Sequence, residues 1–185
     1  PVAAFAAVRF RHWHRAAGGR WVLGVQRRLM KELRDTVYGA IMTPRAVIDT
    51  NVVFEGLTKQ GGASRLVIEA WLSGFFQPCV STALVYEYQS VLTRKLSSAR
   101  VLHLEVVMSE MLDLAQHVET YFSWRPASPD PGDDFVIDCA MSAYAPVVTW
   151  NRKDFQPAGR ELGLPIWSPI ELLKHIDDTK NWRFS

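Results

Sequence analysis

The chain has 185 residues, is 48% hydrophobic and carries a formal charge of +2, which suits one globular domain with a core of its own and room for an appendage. The charge is unevenly placed: residues 1–41 hold eight Arg or Lys against Glu32 and Asp35, or +6, and residues 42–185 hold 13 against 17, or −4. Cys79 and Cys139 stand alone in apolar surroundings, without a Cys-x-x-Cys or a paired His spacing, which argues against a disulfide framework and a structural zinc and for a reduced, cytoplasmic protein.

Residues 1–41 form a basic N-terminal extension to a domain over 42–185. The extension is Arg-rich, and its apolar stretch Trp21 to Val25 is too short for a secretory core segment. Leu29, Leu33 and Val37 fall at i, i+4 and i+8, so a short amphipathic helix is expected near 26–38. Three readings compete: sequence from upstream of a true start at Met42, a basic arm that touches RNA or a partner, and a targeting segment. Deleting residues 1–41 should weaken RNA or partner binding only under the second.

Ala46-Val47-Ile48 is a β-permissive run that ends in Asp49-Thr50-Asn51, the pattern of a buried strand stopping at a turn. Ligands of open α/β sheets lie outside the carboxyl ends of strands, so Asp49 sits where chemistry is expected. Capping the turn is the competing role for the same carboxylate. After Gly61-Gly62, Leu66, Val67, Ala70 and Trp71 share one face of a helix over 63–73, and Gln77 to Val80 reads as a second strand. The 17 uncharged residues from Ala70 to Tyr86 include Gly74 and Pro78; they make a helix end and a strand, not a membrane span. Ser81 or Thr82 caps a helix from Ala83 to about Lys95 that buries Leu84, Tyr88, Val91 and Leu92. Glu87 stands beside that stripe, a position where solvent exposure is the ordinary use of a glutamate.

A helix is expected over 101–122, on Val107, Met111, Leu114 and Val118, with His103 and His117 too far apart for an i, i+4 metal pair. A linker rich in Pro and Ser, Tyr121 to Pro131, leads into Asp130-Pro131-Gly132-Asp133-Asp134-Phe135-Val136-Ile137-Asp138. Asp134 and Asp138 are four residues apart, so they share one helix face with about 5–6 Å between β-carbons, a like-charge arrangement that a divalent cation relieves. The helix dipole accounts for acids in the first turn, Asp133 and Asp134, and accounts poorly for Asp138. Pro146 to Thr149 reads as another buried strand, ending in Trp150-Asn151-Arg152-Lys153-Asp154-Phe155, a second polar cluster at a strand's carboxyl end. Leu164 to Trp167 is a last strand, and Ser168-Pro169 opens a terminal helix over 170–175. Alternating strands and helices predict a parallel sheet covered on both faces.

With Val-Ile-Asp49-Thr-Asn51-Val, Val80-Ser81 leading to Glu87-Tyr88, Asp130-Pro-Gly-Asp-Asp134 and Val148-Thr149-Trp-Asn151-Arg-Lys-Asp154-Phe155 in this order, the chain resembles the PIN-domain family over about residues 45–175. These are metal-dependent ribonucleases that include the toxins of many bacterial toxin–antitoxin pairs, and the likeness is greatest to a toxin branch. The resemblance implies a three-layer α/β/α fold around a central parallel sheet, with acids gathered about Mg²⁺ or Mn²⁺. It matches Asp49, Glu87 and Asp134 to metal-binding, catalytic acids, and makes Asn51 and Thr149 hydrogen-bonding supports. Many relatives carry Asp where this chain has Asn151; Asp138 is the replacement fourth acid, with Asp154 as a supporting or alternative ligand. The implied partners are an RNA substrate, a cognate antitoxin and a second copy in a homodimer, with no membrane.

Hard cations take carboxylate oxygens, keep several waters and bind phosphate, so this donor set suits phosphodiester hydrolysis. The −4 charge of residues 42–185 is consistent with a metal-loaded nuclease and not with a grip on RNA by bulk basicity. Arg94, Lys95, Arg152 and Lys153 are candidates for phosphate contact, against ordinary solvated surface. Trp150 is a candidate for base stacking, against packing, its commoner use. A catalytically inactive PIN-like binding module is the competing class. A phospho-aspartate phosphatase fits less well, because Asn51 occupies the place of the second Asp in Asp-x-Asp.

Overall fold

The computed structural model describes residues 43–123 and 131–181. The extension at 1–41, its expected helix near 26–38, and most of the linker with Asp130 lie outside the described residues.

Five short parallel strands form one sheet in the order β3-β2-β1-β4-β5: β1 (Arg45–Ile48), β2 (Gln77–Val80), β3 (Gln116–His117), β4 (Val147–Val148) and β5 (Ile166–Trp167). In the strand at the centre Ala46, Val47 and Ile48 are wholly buried, because a parallel strand covered on both faces has no polar side to show. Val47 pairs with Val147 and Ile48 with Val148, which places the carboxyl ends of β1 and β4 side by side.

Seven helices among the described residues flank the sheet and complete the three layers: α1 (Thr50–Thr58), α2 (Ala63–Leu72), α3 (Thr82–Lys95), α4 (Ser98–Leu114), α5 (Pro131–Ala143), α6 (Arg152–Glu161) and α7 (Pro169–Asn181). Trp71, Phe76, Tyr88 and Phe155 are the largest fully buried side chains, and the Trp71 indole N–H donates to the Met111 carbonyl at 2.8 Å. Gly61 and Gly62 take positive φ between α1 and α2, a conformation that favours glycine. Gly56 answers to a different demand: a β-carbon there would lie 2.5 Å from the Ser64 carbonyl oxygen, so its absence lets α1 and α2 touch.

Two expectations change. The segment after Asp49 is a nine-residue helix rather than a turn, with Val52, Val53, Gly56 and Leu57 buried on one side. The helix expected over 101–122 ends at Leu114, and Gln116–His117 runs as an edge strand along β2, with the Val118 N–H bonded to the Val80 carbonyl at 2.8 Å. Both residues of that strand are exposed, so no hydrophobic alternation marks it in the sequence.

Candidate active site at the ends of the first and fourth strands

The chain leaves β1 toward β2 on one side and returns to β4 on the other, so the crevice between β1 and β4 is where the strand order reverses, the usual ligand position of an open α/β sheet. Asp49 closes β1 and is also the N-cap of α1: its backbone N–H bonds the Val148 carbonyl at 2.9 Å, and its Oδ1 accepts from the Asn51 N–H at 3.4 Å. Oδ2 is held more tightly, by the Thr149 hydroxyl and the Asn51 side-chain amide, each at 2.5 Å. Asn51 also donates to Thr149 Oγ1 at 3.2 Å, and the Asn151 backbone N–H donates to the same oxygen at 2.9 Å. The competing reading of Asp49 as a cap is therefore true, but a cap needs one oxygen and this carboxylate has a second, built contact set.

Asp49 is only 3% exposed. Burial raises its pKa, with the hydrogen bonds from Thr149, Asn51 and Thr50 acting in the opposite direction. Below it, the buried Tyr88 hydroxyl donates to the Ile48 carbonyl, and its phenol is pushed well above its ordinary range by burial first, then by Cys139 and Asp49. Both cysteines are buried and unbridged, and the Cys139 thiol is pushed up to about 12, chiefly by burial.

Helix α5 packs against β1 and α3 and carries Asp134 and Asp138 on its inner side, each 6% exposed. Both acids take part in interactions with their surroundings. Glu87, on α3, is 23% exposed at its side chain and pairs with Arg94 at 3.7 Å. Asn151 precedes α6 and donates from its side chain to Asp154 in the first turn of that helix, not to Asp49. The structure thus joins Asp49, Asn51 and Thr149 in one network, with Asn151 entering by its backbone, and leaves Glu87 and Asp154 in pairs of their own.

The candidate phosphate-binding cations are largely engaged. Arg94 pairs with Glu87, and Lys95 lies 5.0 Å over the Phe54 ring. Arg152 donates to Glu171 at 3.1 Å and to the Ile166 carbonyl at 3.0 Å, while Lys153 is exposed. Trp150 departs from the packing expectation, being 44% exposed. Sequence reasoning missed what holds it: the indole N–H donates to Ser64 Oγ at 2.7 Å, and the Ser64 hydroxyl donates to Glu55 at 2.7 Å. A Ser near a glycine pair and a Glu with Lys59 one turn on gave no signal of that role.

Among the described residues no three His, Cys, Asp or Glu side chains are grouped so as to hold one ion. The donor chemistry still fits a hard divalent cation, because Mg²⁺ is held by one or two carboxylates together with water and substrate phosphate, not by a closed protein cage. No helix among the described residues is long and apolar enough to cross a membrane.

A parallel α/β sheet with a buried carboxylate, Asp49, at its switch point defines the class of protein. The PIN-domain family model matches residues 45–153, and the chain belongs to the PIN-domain family. Among solved structures it is similar to a chain of VapBC2 from Rickettsia felis, in a crystal structure bound to a DNA fragment from its promoter, at 12% identity and a TM-score of 0.50, covering 67% of this chain and 98% of that one. It is also similar to a chain of FitAcB from Neisseria gonorrhoeae, at 18% identity and a TM-score of 0.47, covering 67% and 97%. No curated protein matches the chain.

Proposed function

We propose that this protein is a Mg²⁺- or Mn²⁺-dependent endoribonuclease, the cytoplasmic toxin of a bacterial toxin–antitoxin pair. The observation that carries the reading is the burial of three carboxylates, Asp49, Asp134 and Asp138, on a strand end and a helix packed against that strand. Buried carboxylates of like sign repel one another, and a cation in the crevice would lower that cost. Asp49 with Asp134 or Asp138 would hold the ion beside water and substrate phosphate, while Glu87, paired with Arg94, would act from outside that set. When bound, the ion supplies a lowered pKa for an attacking water and neutralises charge on the leaving oxygen.

The chain's own residues do the positioning. Thr149 and Asn51 saturate Asp49 Oδ2 and fix the carboxylate plane, while Oδ1 accepts from the Asn51 backbone N–H at 3.4 Å. Asn151 and Asp154 brace the start of α6 beside it. The VapBC2 neighbour lends a toxin–antitoxin setting by analogy of fold, and an antitoxin, a homodimeric state and an RNA target belong to the proposal.

The second reading is an inactive binding module. Glu87 engaged with Arg94, and Asn151 where relatives carry an acid, speak for it. The test is cleavage of mixed, end-labelled RNA by the full chain with Mn²⁺, Mg²⁺ or EDTA, beside Asp49→Asn and Asp134→Asn. Metal-dependent cleavage lost in both variants supports the nuclease. Cleavage that survives both substitutions, or none at all together with no carboxylate-dependent Mn²⁺ binding, favours the module.

A further inference from the structure

A tryptophan that is 44% exposed, one residue beyond Thr149, sits against the candidate site with its polar edge already satisfied. Its indole N–H is turned inward to Ser64, itself only 2% exposed, and Ser64 is in turn bonded to Glu55, which Lys59 pairs. This chain of contacts spans α1 and α2, whose close approach depends on Gly56. The Trp150 backbone N–H reaches Asn51 Oδ1 at 3.5 Å, so the ring is fixed from its backbone and from its N–H edge. With that edge inside, the carbon part of the indole is what remains to face solvent. Among the described residues no aromatic ring stacks on it and no cation lies over it.

We propose that Trp150 is a base-stacking platform for single-stranded nucleic acid, receiving the nucleobase next to the phosphate that enters the crevice at Asp49. This rests on the nuclease reading and deepens it by naming the form of the substrate. Residues 42–185 carry −4, and Arg94, Lys95 and Arg152 are engaged within the protein, so bulk charge is a poor handle for RNA here. Stacking supplies a grip that needs no charge and tolerates any base, because every base has a π-face. It also selects against duplex, whose bases are already stacked. A rigid ring serves better than a mobile one, since a side chain pinned in advance loses little freedom on binding.

The test uses the full chain, Mn²⁺ and a set of end-labelled single-stranded RNA oligomers, each with one abasic nucleotide at a different position. One abasic position is expected to raise KM about ten-fold in the wild-type protein. Trp150→Leu is expected to raise KM for the intact oligomer by a similar factor and to be indifferent to that abasic position. Trp150→Phe is expected to stay within about three-fold of wild type. Both variants lose the bond to Ser64, so any effect of that loss on the fold is common to them, and their difference reports the aromatic face. A wild-type KM in Trp150→Leu, an abasic penalty that persists in it, or equal effects of Leu and Phe would overturn the platform and leave the nuclease standing. A wild-type chain that cleaves no member of the set would defeat the nuclease reading itself.

Discussion

At the scale of single residues, Asp49 sets function against stability. Its folded pKa is raised, so the folded state binds its proton more tightly than the unfolded state does. As pH rises from the unfolded carboxyl value near 4 through the higher folded value, the unfolded state is the one that gives up the proton first, and stability falls. Above that window the Asp49 carboxyl therefore leaves the metal-free fold less stable than it is at low pH. Asp49→Asn should raise the melting temperature at pH 7 in EDTA, with the gain shrinking toward pH 4, while cleavage falls by orders of magnitude; thermal melts across pH check it, and a variant less stable than wild type at pH 7 would contradict it. Thr149 works on the same carboxylate. Its hydroxyl bond lowers the Asp49 pKa, so Thr149→Val should move the acid limb of the pH–rate profile to higher pH. It should also cost about 1–3 kcal/mol of stability through the donor lost to a buried acceptor. An acid limb that stays in place would mean that another group titrates there.

At the scale of elements, what could be read from the sequence follows the burial of each piece. Strands β1 and β4 are continuous apolar runs buried on both sides, so they announce themselves, and with them the position of Asp49. Helix α6 does not, because Pro157 and Gly159 lie inside it and argue against a helix by propensity alone. It forms because Phe155 and Ala158 are buried against the rest of the fold. Helix α1 carries Gly56, a weak helix former by propensity, at a position that its contact with α2 requires. The spacing of Asp134 and Asp138 was legible, since i and i+4 fix a common face; the partners of Glu87, Asn151 and Trp150 were not, because they come from other elements or from side-chain choices that no periodicity encodes. Gly56→Ala puts a β-carbon 2.5 Å from backbone at Ser64, where no flexible side-chain end can yield. It should cost about 1–3 kcal/mol, as overpacking does, and should also weaken the Trp150 to Ser64 contact. A melt within about 1 °C of wild type would show that α1 and α2 can part without loss.

At the scale of the whole molecule, the proposed cation is a folding ligand as well as a catalytic one. The carboxylates of Asp49, Asp134 and Asp138 come from β1 and α5, which lie far apart in the chain and meet only in the folded state. The unfolded chain offers the same acids without bringing them together, so a cation that needs more than one of them binds the native state preferentially. At a free concentration a hundred times its Kd, such a ligand stabilises by about 2.7 kcal/mol. For a chain of this size that corresponds to a rise of roughly 5–10 °C in Tm. Mn²⁺ should therefore raise the Tm of the wild-type protein by several degrees in a saturable manner, and this should be lost in Asp134→Asn and in Asp49→Asn. The two asparagine variants are then expected to melt above metal-free wild type but not above metal-loaded wild type, an ordering that general salt effects cannot produce. The same shift in all three proteins would place Mn²⁺ elsewhere on the acidic surface and would remove the compensation argument on which the nuclease proposal stands.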